Sequence, residues 1–459
     1  MTEPSEDRHP FVRRPHRTLI TLAFPVMISL VAEPLTGVAD TFFIASLGTA
    51  PLAGLGIGAT LLSSVFWIFN FLGIGTQTEI AQAAGTHDTA HGRDVCGLAI
   101  ALSALIGCAL ALLGWFILEF ATAFMSNDDR VRSAAAIYLE IRLLGGPAIL
   151  ITMAAFGALR GLQDMRTPLA IAVVQNALNI ALDAVLIPGL GPVPAFGIAG
   201  AAWASVLSQW LGALWAIETV RRRLGLRSRP HWQLASSLLS VGRDMFVRTG
   251  SLILFILLST RAANHLGAES GAANQVIRQF WILSALILDA FALAAQSLIG
   301  FFVGAGQLAR ARRVAAVVCL WGVGTGLSLT AVMVITTGFV GAVFLPVDTR
   351  PIFTAAWFAF AIAQPANAVA FVTDGIHWGT RDYRFLRNAM IASTAAGLAV
   401  LFSVDLAGSG GLTGIWIITG GWIAVRTTFG LARIWPGFGA SPLRPDSAHP
   451  EPATPNRSP

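Results

Sequence analysis

Glu33 and Asp40 stand in the stretch EPLTGVADTFF (33–43), inside an apolar run long enough to cross a membrane. They are two helical turns apart, so one helix face carries both, with Thr36 and Gly37 between them. A carboxylate at the centre of a bilayer costs about 2.5–3.5 kcal/mol on insertion scales. A second polar face follows in QNALNIALDAVLI, where Asn176, Asn179 and Asp183 fall at i, i+3 and i+7. A third segment, GIAGAAWASVLSQ, brings Ser205 and Gln209. None of these faces can meet lipid cheaply, so they should converge on a hydrated or protein-lined interior. Carboxylates brought together there repel when both are ionised, which makes a place able to hold a proton. With amide and hydroxyl oxygens around it, the same place suits Na⁺. The alternative is a polar network that only ties helices together, a task for which ionisable groups are poor choices.

The second half of the chain has acids of its own. Asp289 lies in LILDAFALAAQ with Gln296 two turns on, and Asp374 lies in FVTDGIHWG with His377 three residues on. Each is a candidate substrate counter-charge, a second proton site, or a hydrogen-bonding link to a neighbouring helix. Pro25 and Pro34 interrupt the first apolar segment, where each removes a backbone hydrogen bond and supplies either a hinge or a static kink. Phe66, Trp67, Phe69, Phe280 and Trp281 either line a cavity or face lipid and pack in the bundle.

The elements that must position these groups are membrane helices. The chain has 459 residues, is 55% hydrophobic and 12% charged, and has a mean hydropathy of +0.69. Soluble domains carry about 25% charge. The strand alternation of a membrane β-barrel is absent, so the spans are helical. All 30 basic residues are arginine, which excludes a P-loop ATP motor and a lysine Schiff base. The arginines flank the apolar segments as topology signals, so the basic balance does not point to nucleic acid. Cys96, Cys108 and Cys319 lack any metal or redox spacing and read as buried thiols. The first apolar segment is too long for the core of a cleavable signal peptide.

Twelve apolar segments can be drawn, near 18–45, 50–82, 95–123, 131–159, 167–187, 196–220, 237–265, 270–303, 311–340, 350–378, 385–405 and 411–433. Arginine clusters recur in alternate loops, at Arg13 to Arg17, Arg93, Arg160 to Arg166, Arg221 to Arg229, Arg310 to Arg313 and Arg381 to Arg387. By the positive-inside rule both termini are expected in the cytoplasm. The expected organisation is a tail at 1–17, a first lobe at 18–220, a linker at 221–236, a second lobe at 237–433 and a disordered tail at 434–459.

The lobes repeat. At an offset of 219, Gly48 meets Gly267, Gln77 meets Gln296, Gly85 meets Gly304 and Arg93 meets Arg312. At 218, Pro147 meets Pro365, Gly157 meets Gly375, Gly161 meets Gly379 and Asp164 meets Asp382. Six spans per repeat make both enter from the same side, which relates them by an axis along the membrane normal, a transporter architecture. Asp40 and Asp183 fall opposite Ser259 and Leu401, so the carboxylate cluster belongs to the first repeat alone.

The order of PLTGVADTFFIASLGTAPLAGLGIG, GALRGLQDMRTPL, NIALDAVLI, GIAGAAWASVLSQ and TDGIHWGTRDYRFLRN resembles the multidrug and toxic compound extrusion (MATE) transporters, in the branch of the DNA-damage-inducible protein F, over about 18–433. The resemblance implies an all-α fold of twelve transmembrane helices in two six-helix lobes, V-shaped around a central cavity. It implies efflux of organic, often cationic, compounds in exchange for H⁺ or Na⁺, with no other cofactor. It places the cation site at Asp40, Asn179, Asp183 and Ser205, the bending proline at Pro25, and the branch's Asp-Gly pair at Asp374–Gly375. Glu33 departs from the branch. The expected setting is a cytoplasmic (inner) membrane, as a monomer in the lipid bilayer with a small-molecule substrate and no nucleic acid. The rivals are a flippase for a lipid-linked precursor, disfavoured by twelve spans and few arginines within them, and an exporter of one endogenous metabolite. No motif supports an enzyme.

Overall fold

The computed structural model describes residues 9–226, 232–406 and 410–444, with the side chains of Glu33 and 232–234 outside the description. The expected linker residues 227–231 and the tail residues 1–8 and 445–459 lie outside the described residues. The described chain is all helix. A short α1 (Pro10–Arg13) leads into α2 (Pro15–Ala45), α3 (Thr49–Ile68), α4 (Phe71–Gly85), α5 (Thr89–Met125), α6 (Asp129–Leu143), α7 (Gly146–Gly161), α8 (Arg166–Leu186) and α9 (Ile198–Arg223). The second half runs α10 (Trp232–His265), α11 (Ala268–Gly304), α12 (Leu308–Phe344), α13 (Arg350–Ile362), α14 (Gln364–Gly379), α15 (Tyr383–Ser403) and α16 (Gly411–Ile434).

Joining α3 to α4, α6 to α7 and α13 to α14 leaves twelve rods, which follow the twelve apolar segments. Eight helical stretches among the described residues are long and apolar enough to cross a membrane, and two bent pairs bring this to ten. The remaining rods, α9 and α10, have the length to cross but more polar sequences. The bends, 50° between α6 and α7 and 46° between α13 and α14, fall at Gly145-Gly146-Pro147 and Gln364-Pro365, where proline withholds a backbone donor.

The repeat is written into the backbone. Gly48 and Gly267 cap α3 and α11 at φ 109° and 113°, a region that side chains strongly disfavour. Related positions also meet each other. Gln77 donates to the carbonyl of Leu293 at 2.7 Å, and its counterpart Gln296 donates to the carbonyl of Ile74 at 2.8 Å. Thr78 donates to the carbonyl of Trp378 at 2.9 Å, and Ser297 to that of Arg160 at 2.6 Å. Since 74 and 293 are one repeat apart, as are 160 and 378, these bonds form two symmetric pairs across the lobe boundary. Gly85 packs against the backbone of residues 301–305, and Gly304 against that of Gln82. All this lies towards the arginine-rich ends of α4 and α11.

The first helix of each repeat is shared. The leading half of α2 buries Leu19, Leu22 and Val26 against α11 and α12, and its later half packs on α8. In the same way α10 packs on α15 of its own lobe and reaches α4 and α5 of the other. The helix α2 runs unbroken through both Pro25 and Pro34.

Three expectations need correcting. Cys96 and Cys319 are buried, but Cys108 is exposed on α5, where the helix turns an apolar side outward. Residues 10–13, expected in a tail, form a helix whose Phe11 packs on Phe302. Residues 435–444, also expected to be disordered, fold back under α16: Leu443 is buried, and Arg312 donates to the carbonyls of Leu443 and Trp435 at 3.3 Å.

Close backbone packing makes the repeat glycines sensitive. A Cβ on Gly375 would run into the carbonyl of Ala292, and one on Gly157 into that of Gly73. Each glycine-to-alanine change should lower stability by about 1–3 kcal/mol, read as earlier thermal unfolding in detergent.

Candidate functional site

Asp40 on α2, Asn179 and Asp183 on α8 and Ser205 on α9 come together as the sequence spacing requires. All are under a tenth exposed, and Asp183 is fully sealed. The Asn179 amide satisfies both its ends when its nitrogen donates to Asp40 Oδ1 (3.3 Å) and its oxygen accepts from the Ser205 backbone N–H (3.1 Å). The carboxyl groups of Asp40 and Asp183 lie within hydrogen-bonding reach of each other. Neither Asp183 oxygen meets a donor among the described residues. Two facing acceptors without a hydrogen between them are what a proton or small cation would satisfy.

The cluster has a basic neighbour that the sequence reading missed. Arg142 on α6 acts electrostatically on both carboxyl groups. Its Nη1 donates to Gln209 Oε1 at 2.7 Å, and its guanidinium lies 5.9 Å from the Tyr138 ring centre. Gln209 thus reaches the site through Arg142. Asn176, half-buried a turn before Asn179, takes no part in these bonds. Glu33 lies on α2, but its side chain is outside the described residues.

The second lobe is arranged differently. Asp374 on α14 is gripped from two sides: Arg248 on α10 and Arg426 on α16 both donate to its Oδ2, the latter at 3.1 Å. All three residues are under a tenth exposed. Asp289 on α11 lies within the field of this trio and of Arg160. Arg142, Arg248 and Arg426 all sit inside spans, which corrects the expectation that few arginines do. The signal was present, since an arginine within an apolar window is as costly as an acid.

Gln296 is not part of either cluster. Its amide donates to the Ile74 carbonyl and to Thr78 Oγ1, both at 2.8 Å, so it ties the lobes together. His377 is held by the carbonyl of Gly430 at 3.3 Å, with Asp382 at 3.8 Å. At the arginine-rich end Glu79 of α4 pairs with Arg381, beyond α14, at 2.7 Å and so crosses the lobe boundary. Among the aromatics, Phe66 and Trp281 are buried and Trp67 is half exposed. Phe280 packs edge-on to Trp357 and lines a shallow concavity of about 360 Å³ on α11 that holds none of the charged residues.

Among the described residues, a two-lobed bundle of twelve helical rods with buried polar clusters in each half fits a membrane transporter architecture. A family model described as MatE matches residues 25–185, which include Asp40, Asn179 and Asp183. The protein DETOXIFICATION 44, chloroplastic, of Arabidopsis thaliana is 29% identical over 449 residues, 93% of this chain and 85% of the relative. The DNA damage-inducible protein F of Escherichia coli is 29% identical over 436 residues, 93% of each chain. A crystal structure described as MATE in the bent conformation superposes with a TM-score of 0.83 at 20% identity, covering 91% of this chain and 95% of that one. The family model, these relatives and the shared fold support a MATE transporter with the protein F group among its relatives.

The sealed, donor-free Asp183 carboxylate is a cost to the fold. Asp183→Asn should therefore melt at or above the wild-type temperature at pH 8 in detergent, whereas removing the bridging amide by Asn179→Ala should lower it.

Proposed function

We propose that this transporter is a secondary antiporter that expels a small organic compound in exchange for H⁺ or Na⁺ bound at Asp40 and Asp183. The observation that carries this reading is the pair of facing carboxyl groups without a donor between them, beside an amide and a hydroxyl. A cation arriving there removes the repulsion and draws α2 towards α8. Because the leading half of α2 rests on the second lobe, that pull acts across the lobe boundary. Pro25 and Pro34 divide the two halves of α2 and supply the places where it yields. The contacts among Gln77, Gln296, Gly85, Gly304 and the Glu79–Arg381 pair close one end, and they must part for the other state to form. Each proton brings about 2.3 kcal/mol per 100 mV of membrane potential, in addition to any pH gradient.

The expected setting is the cytoplasmic membrane, with both termini inside and the arginine-rich loops on that face. The protein acts as a monomer in this reading, since each lobe completes the other. With arginines inside the spans, the lipid-linked flippase is no longer disfavoured by their scarcity. Uphill flux of a water-soluble compound under an imposed ion gradient separates the two functions.

Asp40→Asn, reconstituted in proteoliposomes, should fold but lose at least tenfold in gradient-driven movement of substrate under imposed pH or Na⁺ gradients. Transport equal to wild type would show that the cation binds elsewhere.

A further inference from the structure

Each of the two carboxyl clusters has unpartnered polar atoms beside it. In the first lobe two of them are acceptors, the oxygens of Asp183. Beside Asp374 lie four unpartnered donors: Arg248 Nε, Arg426 Nη1, and the indole N–H groups of Trp378 and Trp422. The residues form one cluster. Arg248 lies 5.7 Å from the Trp378 ring centre, and Arg426 4.8 Å from that of Trp422. Trp422 is itself stacked on Phe255 at 4.5 Å.

The charge balance points the same way. Arginine stays protonated in proteins. Three guanidinium groups, Arg248, Arg426 and Arg160, stand against two carboxyl groups, Asp374 and Asp289. The surplus is at least one positive charge in any protonation state. In the first lobe two carboxyl groups stand against Arg142 alone, so ionised carboxylates there leave a negative surplus. Uncompensated charge is costly in a low-dielectric interior, and a ligand of opposite sign relieves it.

We propose that Arg248 and Arg426, held side by side by Asp374 and flanked by the Trp378 and Trp422 indoles, form the substrate seat for a small organic monocarboxylate. This rests on the transporter reading above and names its substrate class, which differs from the cationic compounds that the family resemblance implies. A guanidinium fork matches the two oxygens of a carboxylate, and one negative charge cancels the surplus. The indole N–H groups supply further donors. Residual exposure under a tenth describes an occluded seat, and alternating access allows one state to be shut. Asp374 serves as the positioning residue that keeps the two guanidinium groups side by side.

The test uses the full-length protein in detergent, with benzoate as the probe and inorganic phosphate and tetramethylammonium as comparisons. Benzoate should raise the melting temperature saturably, and the two comparison ions should not. Arg248→Gln and Arg426→Gln should weaken the benzoate effect at least tenfold. If either fails to fold, Arg426→Lys, which keeps the charge and loses the fork, and Trp422→Phe, which keeps the ring and loses the N–H, should each weaken it several-fold. Asp183→Asn should leave benzoate binding in place while abolishing gradient-driven transport. The proposal is overturned if benzoate gives no shift, if phosphate or tetramethylammonium gives the larger one, or if the folded arginine and tryptophan variants respond like wild type. Loss of benzoate binding with intact dependence of transport on Asp40 would remove the seat and leave the coupling site standing. Benzoate binding with full transport by Asp40→Asn would do the reverse.

Discussion

A charge inside a bilayer must be answered, and each lobe of this transporter answers differently. In the first lobe, two carboxyl groups on α2 and α8 face each other with an amide and a hydroxyl as company and one arginine at a distance. In the second, one carboxylate is clasped by two arginines from α10 and α16. In the first arrangement carboxyl groups outnumber the one nearby arginine. The second is overfilled with positive charge and donors. In the function proposed above, transport starts from these two imbalances, because a ligand shifts a conformational equilibrium only through a differential interaction with the two states.

The imbalances can act on the whole molecule because the lobes meet through backbone, not only through side chains. Glycines of one repeat lie against carbonyls of the other, and paired glutamines reach across in symmetric fashion. Such contacts are all-or-none: a few tenths of an ångström separate close packing from collision, and amide bonds to carbonyls are either made or lost. An interface of this kind favours discrete states over gradual deformation.

Much of this was legible in the sequence. Asp40, Asn179, Asp183 and Ser205 announced themselves because polar groups at helical spacing in an apolar window have few uses. The repeat was legible from glycines and prolines, whose roles are fixed by backbone geometry and so survive when side chains drift. The arginines were harder. Arg248 and Arg426 reach Asp374 across separations of 126 and 52 residues, and no local pattern reports such a meeting. Their positive charge was also read as topology, which is true of the loops but not of these positions. Gln296 shows the opposite error: a polar residue in an apolar span suggested a ligand, while its repeat mate Gln77 already marked it as a lobe contact. The breaks within three rods were hidden inside apolar runs, although Pro147 and Pro365 sat at two of them.

The exchange of first helices between lobes bears on how the protein is made. When the first six rods have left the ribosome, the leading half of α2 carries Leu19, Leu22 and Val26 with their eventual neighbours on α11 and α12 still unsynthesised. Lipid can cover those side chains for a time, so the nascent half is insertable but unfinished. The late arrival of α11 and α12 then completes both halves together, which makes assembly of the pair a single cooperative event.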